Sequence, residues 1–237
     1  MKLIDSLISA KFVGRPNRFI TMVNIGGKEY ESHLPDPGRL RELLKVGCKL
    51  WVRHEKNISN RKTKYTTVFV EYNGQLISLI STLPNAFVKE AIQKKLLPAY
   101  KHYKIIQPEY AIKNHRIDFL LEDQRGDPFY LEVKSVSYVK NGVAKFPDSI
   151  TKRGLLHLKL LKELVSSGFK AGVLFVCQRQ DPTLFQPMWE RDPKFSAALL
   201  DAYQKGVRIN CITLNVSKSQ ITFNKEIAIK LENDNKS

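Results

Sequence analysis

"FYLEVKSVSYV", residues 129–139, alternates for most of its length as a strand with buried apolar side chains does. Glu132 and Lys134 stand two apart in its middle, so both project from the same face. Carrying a carboxylate or an ammonium into an apolar interior costs several kcal/mol, comparable with the whole stability of a domain, unless each is paired or bound. The stretch therefore predicts a strand with a polar centre on it, and the surrounding sequence must supply the partners.

The nearest partner lies upstream, in "NHRIDFLLED". Asp118 is flanked by Ile117, Phe119, Leu120 and Leu121, an acid where an apolar residue is expected. The turn signal "DQRGDP" separates it from the opening stretch, so two antiparallel strands bring Asp118 and Glu132 close together. Two like charges in one site raise each other's pKa. A hard divalent cation removes that conflict: Mg²⁺ takes one or two carboxylates, keeps several waters and contacts phosphate oxygens. The backbone carbonyl of Val133 is a further candidate ligand, and Lys134 stands where it can orient an attacking water. This is equipment for metal-assisted phosphodiester hydrolysis. The plain alternative is a set of cross-strand ion pairs on a solvated face. Two features weigh against it: the flanks are too apolar for a solvated face, and the chain is strongly basic. Glu109, in "QPEYAI", is a second metal ligand or base, or else a surface or capping acid.

"FPDSITKRGLLHLKLLKELVSSG" follows. On a wheel of about 100° per residue, Leu156, Leu160, Leu161 and Leu164 form the buried stripe, with Lys152, Lys159, Lys162 and Glu163 opposite. Arg153 and His157 fall within the leucine stripe. Either both reach the carboxylate site and contact phosphate, or they are a snorkelling arginine and a hydrogen-bonded core histidine. Gln178 and Arg179 stand at the exit of the buried strand "AGVLFVCQ", where α/β sheets place ligands. Gln178 holds a water or phosphate there, or serves the turn.

The 237 residues carry a net charge of +16, and 43% are hydrophobic. That supports a packed core and argues against disorder. No apolar run approaches the roughly 20 residues of a membrane span, and the N-terminus does not read as a signal peptide. Three scattered cysteines form no zinc pattern or disulfide framework. The expectation is a reduced, cytoplasmic protein without membrane contact. The charge points to nucleic acid, because each neutralised phosphate releases a counterion.

Residues 1–82 are β-rich. Strands are expected at 18–25, 28–34, 47–54, 64–72 and 75–80, with hairpin turns at "GG" and "NG" and a short amphipathic helix within 34–44. Five strands and one helix suggest a small closed barrel of OB type. Residues 1–82 hold 14 basic and 7 acidic residues against 25 and 16 in the remainder, so this part is the more basic per residue. "RHEKNISNRKTKY" (53–65) concentrates the charge, and its Arg61, Lys62 and Lys64 are candidate nucleic-acid contacts or simply a solvated loop. Beyond residue 82 the pattern alternates: helix 84–96, strands 115–122 and 128–138, helix 151–166, strand 171–178, helix 193–205, strand 207–214 and a hairpin at 220–230. This indicates a mixed α/β domain over 83–237, with a frayed "ENDNKS" tail.

"PDPGRLRELL", "RKTKYT", "LPNAFVKEAI", "RIDFLLED", "YLEVKSVS", "FPDSITKRGLLHL", "VLFVCQR" and "GVRINC", in this order, resemble the sugar fermentation stimulation protein family over about residues 15–215. The resemblance implies an N-terminal OB-like barrel followed by a restriction-endonuclease-like domain with a central mixed sheet, similar to the PD-(D/E)xK nucleases. It gives Asp118 the first acidic position, Glu132 the second and Lys134 the lysine. Ile117 stands where that motif usually has proline. Glu109 resembles the extra upstream acid of some resolvase-like members, and Gln178 the glutamine that some nucleases place after a core strand. The reading that follows is a DNA-binding protein with a Mg²⁺- or Mn²⁺-dependent nuclease-like site. Asp118, Glu132 and Glu109 would serve the metal, and Arg153 and His157 the phosphate region. The family was described as DNA-binding and named for an effect on sugar metabolism. The alternatives are therefore a non-catalytic DNA-binding regulator that keeps the nuclease fold, and a scaffold for protein partners.

Overall fold

A computed structural model describes residues 1–3, 6–56 and 61–233. The chain opens with β1 (Leu7–Asn17), β2 (Ile20–Ile25), β3 (Lys28–His33), β4 (Lys49–His54), β5 (Tyr65–Tyr72) and β6 (Gln75–Ser78). They lie in the order β3-β2-β1-β4-β5-β6, and a short parallel pairing of Ser32 with Tyr65 and His33 with Thr66 closes the first five into a barrel. Alternation puts Phe12, Val23, Leu50, Val52 and Val70 in its core. The expected hairpins form at Gly26–Gly27 and Asn73–Gly74, with positive φ at all four residues, the two-residue turn that matches strand twist. The fifth barrel strand is β1, in a segment where no strand was expected; β6 extends one edge.

The helix expected within 34–44 does not form. Leu40 adopts φ of 52°, which breaks helical continuity, and only one turn closes, from Leu44 N to Leu40 O (2.8 Å). Burial outweighs helix propensity here, because Leu40 and Leu43 fill the barrel core. The segment is held to the second domain. Asp36 accepts from Gly38 N (2.8 Å) and from Ser137 Oγ (3.2 Å), and Asp148 accepts from Leu40 N (3.1 Å).

The second domain comprises α1 (Leu83–Gln93), β7 (Lys104–Ile112), β8 (His115–Glu122), β9 (Pro128–Val136), β10 (Val139–Lys140), β11 (Val143–Phe146), α2 (Lys152–Ser166), β12 (Lys170–Cys177), β13 (Leu184–Pro187), α3 (Pro193–Gln204), β14 (Arg208–Val216), β15 (Ile221–Glu226) and β16 (Ala228–Ile229). Its main sheet runs β15-β14-β12-β9-β8-β7, parallel through β14, β12 and β9 and antiparallel at both flanks. The mixed sheet agrees with the expected fold class. A small sheet, β10-β11-β13-β16, packs beside it. Leu158, Leu161, Phe195 and Leu199 of α2 and α3 cover one face of the main sheet, and Phe87, Val88 and Ile92 of α1 lie in the core on the other. Each fully buried leucine on α2 contributes about 2 kcal/mol.

The buried stripe of α2 is rotated from the expected one. Leu156 is 47% exposed, and Leu158 packs inward with Leu160, Leu161 and Leu164. Gly154 lets the helix start lie close against α3: a Cβ there would stand 3.1 Å from the Phe195 ring and 2.9 Å from the capping Thr151. Among the described residues no helix is long and apolar enough to cross a membrane. Residues 57–60 of the basic loop and 234–237 of the tail lie outside the described residues.

Candidate active site

Glu132 and Lys134 lie on β9, flanked by β12 on one side and β8 on the other. β8 and β9 pair from Glu122–Pro128 to Phe119–Leu131. One step further along the same register, Asp118 meets Glu132, and there the backbone ladder gives way to a side chain. Asp118 Oδ2 accepts the Val133 amide (2.7 Å), and its Oδ1 accepts from Asn85 Nδ2 of α1 (2.7 Å). An acid in an apolar strand is thus accommodated by replacing a missing strand contact and by meeting a helix from below. Burial, reinforced by the negative charge of Glu132, pushes the Asp118 carboxyl up to about 6.

Glu132 is 2% exposed. Its Oε1 receives Lys134 Nζ (2.5 Å) and contacts His157 Nδ1. Burial acts to raise its pKa, but the His157 hydrogen bond and the charge of Lys134 outweigh that and hold it below the usual carboxylate range. The other oxygen, Oε2, is buried without a hydrogen-bond partner among the described residues. An orphaned carboxylate oxygen of this kind costs about 1–3 kcal/mol or more. The two carboxylates are therefore unlike: Asp118 is fixed through both oxygens, and Glu132 is fixed through one and open at the other.

His157 Nε2 lies 3.5 Å from Arg153 Nε. The tautomer with its proton on Nδ1 satisfies both ends of the ring, donating to Glu132 and accepting from Arg153. The structure thus turns His157 inward onto a carboxylate, whereas Arg153 is exposed at the helix start. Glu109 stands opposite Asp118 on β7 by register, but its side chain is exposed and lies 3.6 Å from Arg116 Nη1. It joins no cluster: among the described residues no three acids, histidines or cysteines gather as a metal cage. Its φ of 52° marks a local departure from the strand.

Gln178 is buried where barrel and sheet meet. Its Nε2 donates to Ser135 Oγ (3.0 Å) and its backbone carbonyl accepts from Ser78 N of β6 (3.3 Å), while its Oε1 has no partner among the described residues. Arg61, Lys62 and Lys64 lie exposed in the β4–β5 connection, where Arg61 donates to Thr66 Oγ1 and lies 3.5 Å from Glu55. Asn85 was not singled out from the sequence. One residue after Pro84, it reads as a helix-start residue, and only the pairing with Asp118 reveals its second role.

Residues 13–79 match the family described as "SfsA N-terminal OB domain", and residues 82–220 match "Sugar fermentation stimulation protein RE domain". The chain belongs to the sugar fermentation stimulation protein family. A homolog from Clostridium acetobutylicum is 40% identical over 231 residues, covering 98% of this chain and all of the relative. Another, from Moorella thermoacetica, is 36% identical over 231 residues with the same coverage. Among solved structures, the chain is similar to that described as "The structure of Pyrococcus Furiosus SfsA in complex with Ca2+". The TM-score is 0.87 at 27% identity, covering 97% of this chain and 99% of that one. An OB barrel followed by a mixed-sheet RE domain is thus the arrangement of this sugar fermentation stimulation protein family member.

Proposed function

We propose that this protein binds DNA and hydrolyses phosphodiester bonds at a divalent-metal centre on β8 and β9. The observation that carries the reading is the buried Oε2 of Glu132, without a hydrogen-bond partner among the described residues, beside a second, half-buried carboxylate, Asp118. Two acidic oxygen donors on adjacent strands fit a hard cation, and Mg²⁺ or Mn²⁺ is the choice that phosphate chemistry favours. Asp118 and Glu132 would hold it, with the Val133 carbonyl as a third candidate and Glu109 as a support once its side chain leaves Arg116. Bound there, the ion supplies charge neutralisation, polarisation of the phosphate and a lowered pKa for a coordinated water.

The chain's own residues do the rest. Lys134 offsets phosphate charge and orients the attacking water as its Nζ exchanges Glu132 for substrate. His157 anchors one oxygen of Glu132, so the other keeps its direction. Arg153, exposed at the start of α2, contacts the phosphate region. Arg61, Lys62 and Lys64 are barrel contacts for the strand. The net charge of +16 supports a polyanionic partner, and the free buried thiols of Cys177 and Cys211 fit a reducing, cytoplasmic setting.

The test incubates purified protein with single-stranded, duplex and branched DNA in Mg²⁺, Mn²⁺ or EDTA. Metal-dependent cleavage that disappears in Asp118→Asn and Lys134→Ala, with binding retained, is the expected result. Cleavage at the wild-type rate by either variant overturns the mechanism. Binding without cleavage by the wild type leaves the non-catalytic regulator as the reading.

A further inference from the structure

Besides the 53–65 loop, the barrel has a second positive feature, a groove between the β1–β2 turn and the 34–44 segment. Arg15, Arg18, Arg39 and Arg41 line it, together with Pro37 and Ser149. Arg18, Arg39 and Arg41 are exposed, and no salt bridge among the described residues engages them. Arg15 is built in: its guanidinium donates to the carbonyls of Arg39 and Arg18 (both 2.7 Å), fastening the two walls to each other. The acids behind the groove are turned to other partners. Asp36 faces Gly38 N and Ser137, and Asp148 faces Leu40 N. Three exposed guanidinium groups that no salt bridge among the described residues engages, beside an Arg15 whose own charge is offset by Asp36 and Asp148, describe a seat for a polyanion.

Two features narrow the class. The Arg18 guanidinium lies 4.8 Å from the centroid of the Phe19 ring, and Phe19 is 43% exposed. A cationic groove with an open aromatic ring at its rim suits a single strand, whose phosphates meet the cations while a base stacks on the ring; a duplex keeps its bases inside. The groove also shares Pro37, Gly38 and Ser149 with a cavity of about 230 Å³ that reaches Ser135 and Thr151. Ser135 follows Lys134 on β9, and Thr151 caps α2, which carries Arg153 and His157. The two openings adjoin at these three residues, and the second, which Asp36 and Asp148 also line, ends one residue along β9 from Lys134.

We propose that the Arg15–Arg18–Arg39–Arg41 groove, with Phe19 as a stacking ring, is the track that leads a single-stranded nucleic acid to the Asp118–Glu132–Lys134 centre. The inference rests on the nucleic-acid-binding reading above. The basic loop is the weaker candidate because Glu55 engages both Arg53 (3.0 Å) and Arg61 (3.5 Å).

The experiment measures anisotropy of a labelled oligonucleotide, single-stranded and as its duplex, in EDTA over a salt series. It compares the wild-type chain with three variants: Arg18→Ala/Arg39→Ala/Arg41→Ala together, Phe19→Ala, and Arg61→Ala/Lys62→Ala/Lys64→Ala together. All the altered side chains are exposed, and matching thermal unfolding confirms that each variant folds. The groove variant is expected to weaken single-strand binding at least about tenfold and to reduce the salt slope by about 2, for three lost contacts. Phe19→Ala should weaken single-strand binding about fivefold or more and leave the duplex unaffected. Wild-type single-strand affinity in the groove variant, with loss confined to the loop variant, overturns the track and leaves the function standing. Equal loss of single strand and duplex in the groove variant, with Phe19→Ala neutral, overturns the assignment to single strands. A wild-type protein that binds neither form overturns the function itself and the track with it.

Discussion

The carboxylate of Asp118 takes the amide of Val133, 2.7 Å away, at the point where β8 and β9 cease to pair through their backbones. One side chain thus closes a gap in the sheet and stands beside Glu132. Asp118→Ala should therefore have two separable effects. Cleavage is lost, and stability falls by about 1–3 kcal/mol because the Val133 amide and the Asn85 side chain lose their acceptor. Relief of repulsion from Glu132 places the loss towards the lower end. Denaturant unfolding in EDTA measures the second effect apart from the first.

His157 meets the same oxygen of Glu132 as Lys134 does. If Glu132 holds the metal as proposed, His157 orients that carboxylate, and replacing it by Ala is expected to cost about 10–100-fold in metal affinity. Mn²⁺ titration by calorimetry reads this directly. An unchanged Mn²⁺ affinity would remove His157 from the centre.

Glu42 lies half-buried in the 34–44 segment, with Oε1 buried and without a hydrogen-bond partner among the described residues. Burial, with some contribution from the charge of Asp148, pushes its carboxyl up to about 7. A folded-state pKa above the unfolded value means that the folded chain binds the extra proton. The contribution to stability is complete below the unfolded value, near 4.5, and is lost as pH rises through about 7. Melting temperature should decline from pH 5 to pH 8, and Glu42→Gln should flatten that decline. A parallel decline in wild type and variant would exclude Glu42 as its source.

Gly38 sits where a Cβ would stand 2.8 Å from Asp148 Oδ2 and 2.9 Å from Asp36 Oδ1. Both carboxylates are hydrogen-bonded in place and cannot swing aside freely. Gly38→Ala is expected to cost about 1–3 kcal/mol and to expose the junction between barrel and sheet to limited proteolysis. A melting curve and a digestion pattern identical to wild type would contradict this.

Local signals carried much of the fold. The Gly26–Gly27 and Asn73–Gly74 turns, the alternation in β9 and the spacing in α2 are short-range properties of the chain, and each appears close to its expected place. Elements that depend on distant partners were not legible. β1 mixes charged and apolar residues and becomes a strand because β2 and β4 pair with it on either side. The 34–44 segment has helical periodicity, yet Leu40 is drawn into the barrel and Asp148 holds its amide. At the site, the same-face placement of Glu132 and Lys134 followed from a period of two. The inward turn of His157 also followed from its place on the α2 wheel. The exposure of Arg153, the surface position of Glu109 and the part played by Asn85 depend on how elements far apart in sequence meet.

The two parts of this chain match separate family descriptions, as if either could be exchanged alone. The bonds of Gln178 argue otherwise. Its carbonyl holds β6 of the barrel, and its side chain holds Ser135, the residue next to Lys134. A chimera that takes its barrel from one relative and its mixed-sheet half from another must therefore inherit this joint intact. Otherwise it will assemble both halves and lose the alignment between them.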